Sequence, residues 1–259
     1  MSDGDQPAPV ASDDDPAIGA TGSGDVVSSV LSMSSRHADG QDAEYLRWHL
    51  RDHLPEQHRL AGLRRGQRWV STPECRAARA ASDATFDAVD HLVQYLFAEP
   101  VEPALEQFFA LGAALHGAGR MPIALPRVRV GGWDLVGALA ARRVLVGESV
   151  LPWLPSTGAY VLVEDVSSAA ASDLADGLDA LVEVPGVAGV WWWSASVRHP
   201  RLEGDDGLAL TICYLDEPPV DVAAALVPTL QDRWAASVTP LLAGPFLAVA
   251  PDRPDEHLP

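Results

Sequence analysis

Two histidines in the segment 48–56 are the residues whose spacing most suggests chemistry. The segment reads Trp-His-Leu-Arg-Asp-His-Leu-Pro-Glu, and a helix would place His49 and His53, four residues apart, on one face. Such a pair can ligate a metal, and a single imidazole can exchange a proton near neutral pH. No nearby acid offers a third ligand, so we predict no metal site. The alternative is a solvated helix face of paired arginine and acidic side chains.

A second set of polar side chains lies on a strand predicted for residues 88–97. Alternation places Asp90 and Gln94 on one face and His91 and Tyr95 on the other. The wholly apolar face should meet helices, which favours Asp90 and Gln94 as lining the interior, whereas a slip of one residue would turn His91 and Tyr95 inward. All four stay candidate substrate-binding residues beside a purely structural alternative. In the later strand 208–215 the same reasoning turns two side chains inward: Thr211 and Cys213.

A run of three tryptophans is the third unusual feature. Alternation sends Trp191 and Trp193 to one face and Trp192 to the other. At least one large ring should therefore line the interior, with Trp69 at the matching place of an earlier strand. Aromatic walls suit a flat or apolar ligand, while a plain aromatic core is the alternative.

Hydrophobic spacing predicts the same series of elements twice. The first series is strand 26–33, helix 42–60, strand 63–71, strand 88–97, helix 100–116 and a short strand 127–130. The second series is strand 160–166, helix 172–181, strands 187–197 and 208–215, helix 221–234 and strand 241–250. Pro55 should end or kink the first helix.

Two short stretches align between the series without gaps. Residues 95–102 match residues 214–221, and residues 60–63 match residues 184–187. The equivalent aromatic pairs are Tyr95 with Tyr214 and Trp69 with Trp193. A four-stranded sheet with both helices on one face needs a cover for its other face, and a second copy supplies one. We therefore predict an α+β fold in which two tandem ferredoxin-like β-α-β-β-α-β repeats pair their antiparallel sheets into an intramolecular α+β barrel with a lumen between them.

Composition divides the chain around these repeats. The first 24 residues are acidic and contain no aromatic residue, which predicts a disordered leader. The predicted units are the leader 1–24, the first repeat 25–131, an inter-repeat connector 132–158, the second repeat 159–250 and a flexible tail 251–259. The Gly-Gly pair at 131 and 132 is interpreted as part of the linker.

The first-helix segment resembles a known family. The residues that carry the resemblance are Trp48, Asp52, His53, Pro55 and Glu56, followed by Leu60-Ala61-Gly62-Leu63. They are similar to the W-x-x-x-(E/D)-H-x-P-E…(V/L)-x-G-(V/L) signature of EthD-like proteins, which belong to the dimeric α+β barrel superfamily. The resemblance covers roughly residues 26–130. In the second series it is architectural only, since no His-x-Pro lies between Ser172 and Gly186.

What the resemblance implies is a barrel lumen lined from the sheets, with the helix histidine near its mouth. It carries over only His53, Asp52 and Pro55, and it implies a general acid or base at His53; a structural helix-end histidine is the alternative. Asp52 is not expected to orient His53, because adjacent helix residues point apart. Trp48 and His49, on the same segment, join the candidate substrate-binding residues.

Composition excludes several classes of function. The chain of 259 residues is 47% hydrophobic, enough for a sizeable core, and its charge of −18 argues against nucleic acid or an anionic membrane as partner. It contains no lysine, which excludes Schiff-base and Walker-A chemistry. Cys75 and Cys213 lie far apart, so no cysteine zinc site is implied. Neither a signal peptide nor a membrane span is evident, and we expect a cytoplasmic protein.

Three functions are compatible with these features. The first is an EthD-like barrel that binds a small apolar or aromatic molecule, as an oxygenase, cyclase or isomerase that needs no cofactor and uses His53 as acid or base. It requires an open lumen and a sheltered His53. The second is a non-catalytic binding or scaffold protein, and the third is a haem-binding enzyme, as in some superfamily members. The fold fixes no reaction, and both a monomer and a homodimer stay open.

Overall fold

A computed structural model describes residues 26–168, 171–204, 207–235 and 238–259; the predicted leader lies outside the described residues. The strands are β1 (Val26–Ser34), β2 (Leu63–Val70), β3 (Ala81–Ser82), β4 (His91–Ala98), β5 (Arg127–Ala140), β6 (Gly158–Asp165), β7 (Val187–Ala195), β8 (Leu208–Leu215) and β9 (Thr239–Ala248). The helices are α1 (Asp42–Trp48), a π-helical turn (His49–His53), α2 (Leu54–Gln57), α3 (Pro73–Ala77), α4 (Val101–Gly117), a 3-10 helix (Glu148–Trp153), α5 (Ala171–Val182) and α6 (Pro219–Trp234).

Eight of the strands form a closed antiparallel barrel in the order β2-β4-β1-β5-β7-β8-β6-β9. When the four long strands of each half of the chain are numbered separately, both halves have the order 2-3-1-4. The halves meet at two seams that differ in extent. At the first, β5 pairs with β7 along the second half of its length. At the other, β2 pairs with β9 only at Trp69 and Val70, so this seam is splayed.

Side chains fill the middle of the barrel. Six large rings, each at most 1% exposed, project inward: Trp69, Trp133, Trp191, Trp193, Tyr214 and Phe246. Aliphatic side chains from both halves pack among them in one cluster. The prediction of an open lumen that holds the ligand is therefore wrong, because large apolar side chains from both halves occupy the interior of the barrel.

The helices cover the outer face of the barrel wall. In the first half, an apolar cluster joins the helices to β4, and its helix members include Leu46, Leu50, Leu54, Leu105 and Phe108. In the second half, a separate cluster joins α5 and α6 to β6 and β8, and its helix members include Leu178, Leu181, Leu226 and Leu230. Each half thus has its own outer core, in addition to the shared core inside the barrel.

β5 is much longer than the sequence predicts. The strand continues to Ala140, so the short strand ending at 130 and the glycine linker are wrong, and the predicted connector begins inside β5. The glycines stand where neighbouring groups approach the strand closely. A Cβ at Gly132 would collide with the Ser196 carbonyl, and one at Gly137 would collide with the Trp192 ring.

The faces of β4 and β8 correct a second prediction. Leu92 and Leu96 belong to the inner core, which places Gln94 between them on the inner face. In β8, however, Leu210, Ile212 and Tyr214 face inward, whereas Cys213 packs under the helices. The prediction that Thr211 and Cys213 turn inward is therefore wrong, because large apolar side chains of this half fill the barrel.

The aligned residues Tyr95 and Tyr214 also lie on opposite faces, since Tyr95 packs under the helices and Tyr214 inside the barrel. The helices that follow are capped by Pro100 and Pro218. Pairing these two caps makes Tyr95 correspond to Cys213, which shares its outward face. The gapless alignment is therefore wrong by one residue, a shift that the consecutive prolines at 218 and 219 conceal.

Two smaller segments complete the fold. The stretch predicted as a loop through Cys75 and Ser82 contains α3 and β3. The last nine residues lie against the first helix, where Asp255 Oδ2 is 3.5 Å from Arg47 Nε and the proline at 254 is buried. None of the helices in the described residues has the length and apolar character needed to cross a membrane.

Candidate functional site

The first helix presents its two histidines through a π-helical turn. α1 begins at Asp42 and continues through His49–His53 into α2 without a break. Pro55 lies in the first turn of α2, so the helix passes the residue that was predicted to end or kink it. Proline removes one backbone donor and crowds the carbonyl four residues earlier, and the wider turn accommodates both effects. Such turns occur frequently at functional sites.

His49 is buried against the outer face of β4. Its Nε2 lies 2.9 Å from the Tyr95 hydroxyl. Burial raises the pKa of Tyr95, so the phenol stays protonated and can donate to His49 Nε2. In that arrangement the imidazole proton lies on Nδ1. That Nδ1 is buried and has no partner among the described residues.

Burial and charge keep His49 neutral. Desolvation lowers the pKa of His49 well below its ordinary value, and the nearby Arg68 cation lowers that pKa further. A neutral imidazole with its proton on Nδ1 is a hydrogen-bond donor toward the space beside it.

His53 stands beside His49 with its ring 5.5 Å away and is only 8% exposed. Its ring stacks on the Trp48 indole at a centroid separation of 5.0 Å and an angle of 17°. Desolvation lowers the pKa of His53; the Glu56 carboxylate raises it and Arg68 lowers it again, so that the balance stays below the ordinary value. Its Nδ1 is buried and unpartnered within the described part of the chain. The neighbouring residue 52 points to solvent and does not orient the ring.

A cleft of about 290 Å³ opens beside the two histidines, between the first helix, α4 and the outer faces of β1 and β5. Ser32 and Ser34 of β1 line its floor. Aromatic side chains line its walls: Tyr45, Trp48, Tyr95, Phe108 and Phe109. The volume is at the lower end of the range for small-molecule sites. Arg127 and Arg201 also line the cleft, while its aromatic walls suit a small, flat ligand.

A chain of hydrogen bonds next to the cleft holds the arginine in place. Asp42 Oδ1 lies 2.9 Å from His91 Nε2, and His91 Nδ1 lies 3.5 Å from Arg68 Nη1. Arg68 Nη2 donates to the Tyr45 hydroxyl at 2.8 Å, and its guanidinium lies over the Tyr45 ring. The network fixes a cation close to both cleft histidines.

The protonation states in this network follow from burial. Desolvation lowers the pKa of His91 although its hydrogen bond to Asp42 raises it, so His91 is neutral. For Asp42, desolvation acts to raise the pKa, but the hydrogen bonds from the His91 ring and the His37 backbone outweigh it, and the pKa lies below its ordinary value. Asp42 is therefore ionised beside a neutral His91.

The structure brings together only part of the predicted site. Trp48, His49, His53 and Tyr95 line one cleft, and His91 borders it with both ring nitrogens engaged. Four predicted residues lie on the other side of the barrel wall, facing inward: Trp69, Gln94, Trp191 and Trp193. Asp90 lies at the beginning of β4, where its Oδ1 is 2.8 Å from Arg76 Nη1.

Sequence reasoning missed several groups of this site: Asp42 and Arg68 as a charged network, and Tyr45, Phe108 and Phe109 as cleft walls. Tyr45 had a usable signal, because it precedes His49 by four residues and continues the same helix row. The phenylalanines had none, since their approach depends on how α4 packs. Within the described residues, no three His, Cys, Asp or Glu side chains are close enough together to hold a metal ion.

No family model matches this chain, and no curated protein matches it in sequence. Solved structures do share the fold. A chlorite dismutase-like protein has a TM-score of 0.55 at 11% identity, over 90% of this chain and 100% of its own. A monooxygenase-like protein from Fusobacterium nucleatum subsp. nucleatum has a TM-score of 0.53 at 10% identity, over 86% and 93%. At this identity the likeness concerns the fold alone: the neighbours are dimeric α+β barrel proteins.

Proposed function

We propose that this chain is an EthD-like barrel of two fused tandem repeats, working in the cytoplasm, whose first repeat binds and transforms a small aromatic molecule. The common strand order of the two halves supports the fusion. So do two glycines at equivalent joints: a Cβ at Gly62 would collide with Ala104 of α4, and one at Gly186 would collide with Val222 of α6. α4 packs directly on the chain where β2 begins, and α6 packs directly on the chain where β7 begins.

The observation that carries the proposed reaction is the pair of buried imidazoles with free Nδ1 atoms beside the aromatic cleft. His53 is neutral and can accept a proton at Nδ1. His49 carries its proton at Nδ1, because Tyr95 occupies its Nε2. One ring can therefore act as a base while the other donates a hydrogen bond, which is the arrangement that enolisation needs.

The step is proton abstraction next to a carbonyl group. His53 Nδ1 takes the proton from carbon, the C–H electron pair moves into the carbonyl, and His49 stabilises the resulting enolate oxygen. Return of the proton to another carbon gives an isomerisation, and attack of the enolate on an electrophilic carbon of the same molecule gives a cyclisation. Oxygenation would require dioxygen as a second substrate to accept the electrons. Isomerisation and cyclisation therefore need no cofactor and no second substrate.

Deuterium exchange tests this step. The probe is 2-tetralone, a flat bicyclic ketone with an acidic methylene, followed by proton NMR in D2O. We expect the protein to accelerate loss of the C1 proton signal, and His53→Gln to slow the exchange by about a hundredfold or more. The matched control is His116→Gln, a change at an exposed histidine of α4, which should exchange like the wild type. Equal rates for His53→Gln and the wild type would contradict the assignment.

A non-catalytic binding protein is the second candidate, and the filled barrel favours it because the barrel itself offers no enclosed reaction chamber. The two candidates separate in one measurement. Saturable binding of 2-naphthol in the cleft, followed by its fluorescence, together with no acceleration of 2-tetralone exchange, would establish binding without catalysis.

Haem, the third candidate, does not fit the cleft. The volume of about 290 Å³ is smaller than an iron porphyrin. His49 Nε2 is engaged by Tyr95, and both ring nitrogens of His91 have partners. We therefore expect no Soret band shift when haem is added, and no reaction step is assigned to it.

A further inference from the structure

The splayed seam contains a second cleft, which shares no lining residue with the histidine cleft. Beyond its two pairings with β9, the remainder of β2 has no strand partner on that side among the described residues. A cleft of about 680 Å³ opens there, between β2, the loop 154–157, the beginning of α6 and the C-terminal segment.

Arg65 extends from β2 into this cleft. Strand alternation places Arg65, Gln67 and Trp69 on the inner face of the wall, and Trp69 belongs to the inner core. Arg65 is half-buried, its Nε is buried without a partner, and it forms no ion pair with any described residue. Burial lowers the pKa of Arg65 while the Tyr214 phenol raises it, so the two side chains are close enough to interact. A desolvated cation without a counterion is costly unless an anion joins it.

A buried hydroxyl lies beside that cation. The Gln67 amide donates to Gln94 Oε1 at 3.0 Å and to the Tyr214 oxygen at 3.3 Å. Burial raises the pKa of Tyr214, so the phenol keeps its proton, and its oxygen already accepts from Gln67. Tyr214 is 1% exposed, and its O–H has no acceptor in the described part of the chain. Tyr214 lies behind the lining of the cleft, whereas Arg65 and Gln67 are on the lining itself.

The other walls of the cleft are mainly apolar. They include Leu154, Pro155, Pro219 and Leu247. The acidic side chain on the lining, Glu256, is already paired with Arg253 at 2.9 Å. Because the chain carries a charge of −18, its long-range field repels anions. An anion that enters must therefore be held by local contacts rather than by general attraction.

We infer that the seam cleft binds the carboxylate of a small organic acid, with the Arg65 guanidinium as its donor and the apolar walls around the rest of the molecule. The planar guanidinium matches two carboxylate oxygens better than it matches a single charge. The site is separate from the histidine cleft and is independent of the reaction proposed there.

Calorimetric titration with benzoate tests the inference. We expect one benzoate per chain, with benzamide, its neutral counterpart of similar shape, binding at least tenfold more weakly. Arg65→Gln should weaken benzoate binding at least tenfold. The matched control is Arg64→Gln, because Arg64 is adjacent in sequence and its Nη1 donates to the Ala61 carbonyl. This variant should bind benzoate like the wild type.

Several outcomes would overturn the assignment. Absence of benzoate binding, or equal affinity in Arg65→Gln and the wild type, removes the site. Tighter binding of inorganic phosphate than of benzoate shows a site for inorganic oxyanions instead. Loss of benzoate binding in His53→Gln shows that benzoate occupies the histidine cleft. Thermal melts followed by circular dichroism check that Arg65→Gln is folded, so that a loss of binding reports on the site.

Discussion

The two halves of the barrel share a strand order but differ in what lies beneath their helices. In the first half, β1 presents Ser32 and Ser34 to a cleft. The same strand positions in the second half, identified by their pairing with β4 and β8, are Leu162 and Glu164, and both are fully buried. Small polar side chains leave space, whereas the larger ones fill it.

In the second half, apolar side chains and a buried ion pair occupy the space beneath the helices. Glu164 Oε2 lies 2.8 Å from Arg233 Nη2, and Glu164 Oε1 accepts a hydrogen bond from Trp234 Nε1 at 2.9 Å. The position of Tyr95 is taken by Cys213, and burial raises the pKa of that thiol to about 12. A protonated, buried thiol is chemically inert. One half thus carries two buried histidines beside a cleft, while the other carries a closed core.

The contrast shows what a single chain permits. Two identical subunits must have identical sites, whereas two halves of one polypeptide can diverge. Here the second half buries its ion pair and the first half retains unpartnered imidazoles. The predictions that follow challenge this division of roles, beginning with the largest expected effect.

Glu164→Ala should lower the free energy of unfolding by about 3–5 kcal/mol, because it leaves the buried Arg233 without its carboxylate. Ser34→Ala, at the corresponding position of the first half, should change it by less than about 0.5 kcal/mol. Urea unfolding followed by tryptophan fluorescence measures both. Losses of similar size would show that the two outer pockets do not differ in their contribution to stability.

Ser32→Leu should close the first cleft by giving it the residue found in the second half. We expect the affinity for 2-naphthol to fall at least tenfold, equivalent to about 1.4 kcal/mol or more, with stability retained. The control is Ser194→Leu on β7, where the side chain is exposed. Unchanged binding in Ser32→Leu would mean that the ligand lies elsewhere.

Acid should destabilise the first half through its neutral histidines. The pKa values of His49, His53 and His91 are lowered in the folded state, so below about pH 6.5 the unfolded chain binds protons that the folded chain does not. Stability therefore falls as pH decreases from that value, by up to about 1.4 kcal/mol per pH unit for each histidine.

Urea unfolding between pH 7 and pH 5.5 measures this slope. His53→Gln should reduce the slope by up to about 1.4 kcal/mol per pH unit, because it removes one of the three histidines with a lowered pKa. Identical slopes in the wild type and His53→Gln would show that His53 titrates normally in the folded protein.

The hydrophobic pattern was sufficient to predict most of the fold. Alternation and helical spacing located nearly all elements, since both periods follow from backbone geometry. The pattern failed at β5, where glycines that look like a linker make room for the Trp192 ring and the Ser196 carbonyl. It failed also in β8, where alternation identifies two faces but not which of them turns inward.

The candidate site divides in the same way. The positions of His49 and His53 on one helix face follow from their spacing alone, and so does the asymmetry between halves, because only the first contains the His-Pro segment. Their meeting with Tyr95, the Arg68 cation and the α4 phenylalanines required the packed structure. These contacts join residues that are distant in the chain, and local periodicity carries no information about them. The sequence determined that the His-Pro segment belongs to one half; only the tertiary structure decided that its histidines lie on the outer side of the barrel wall, because large apolar side chains fill the interior.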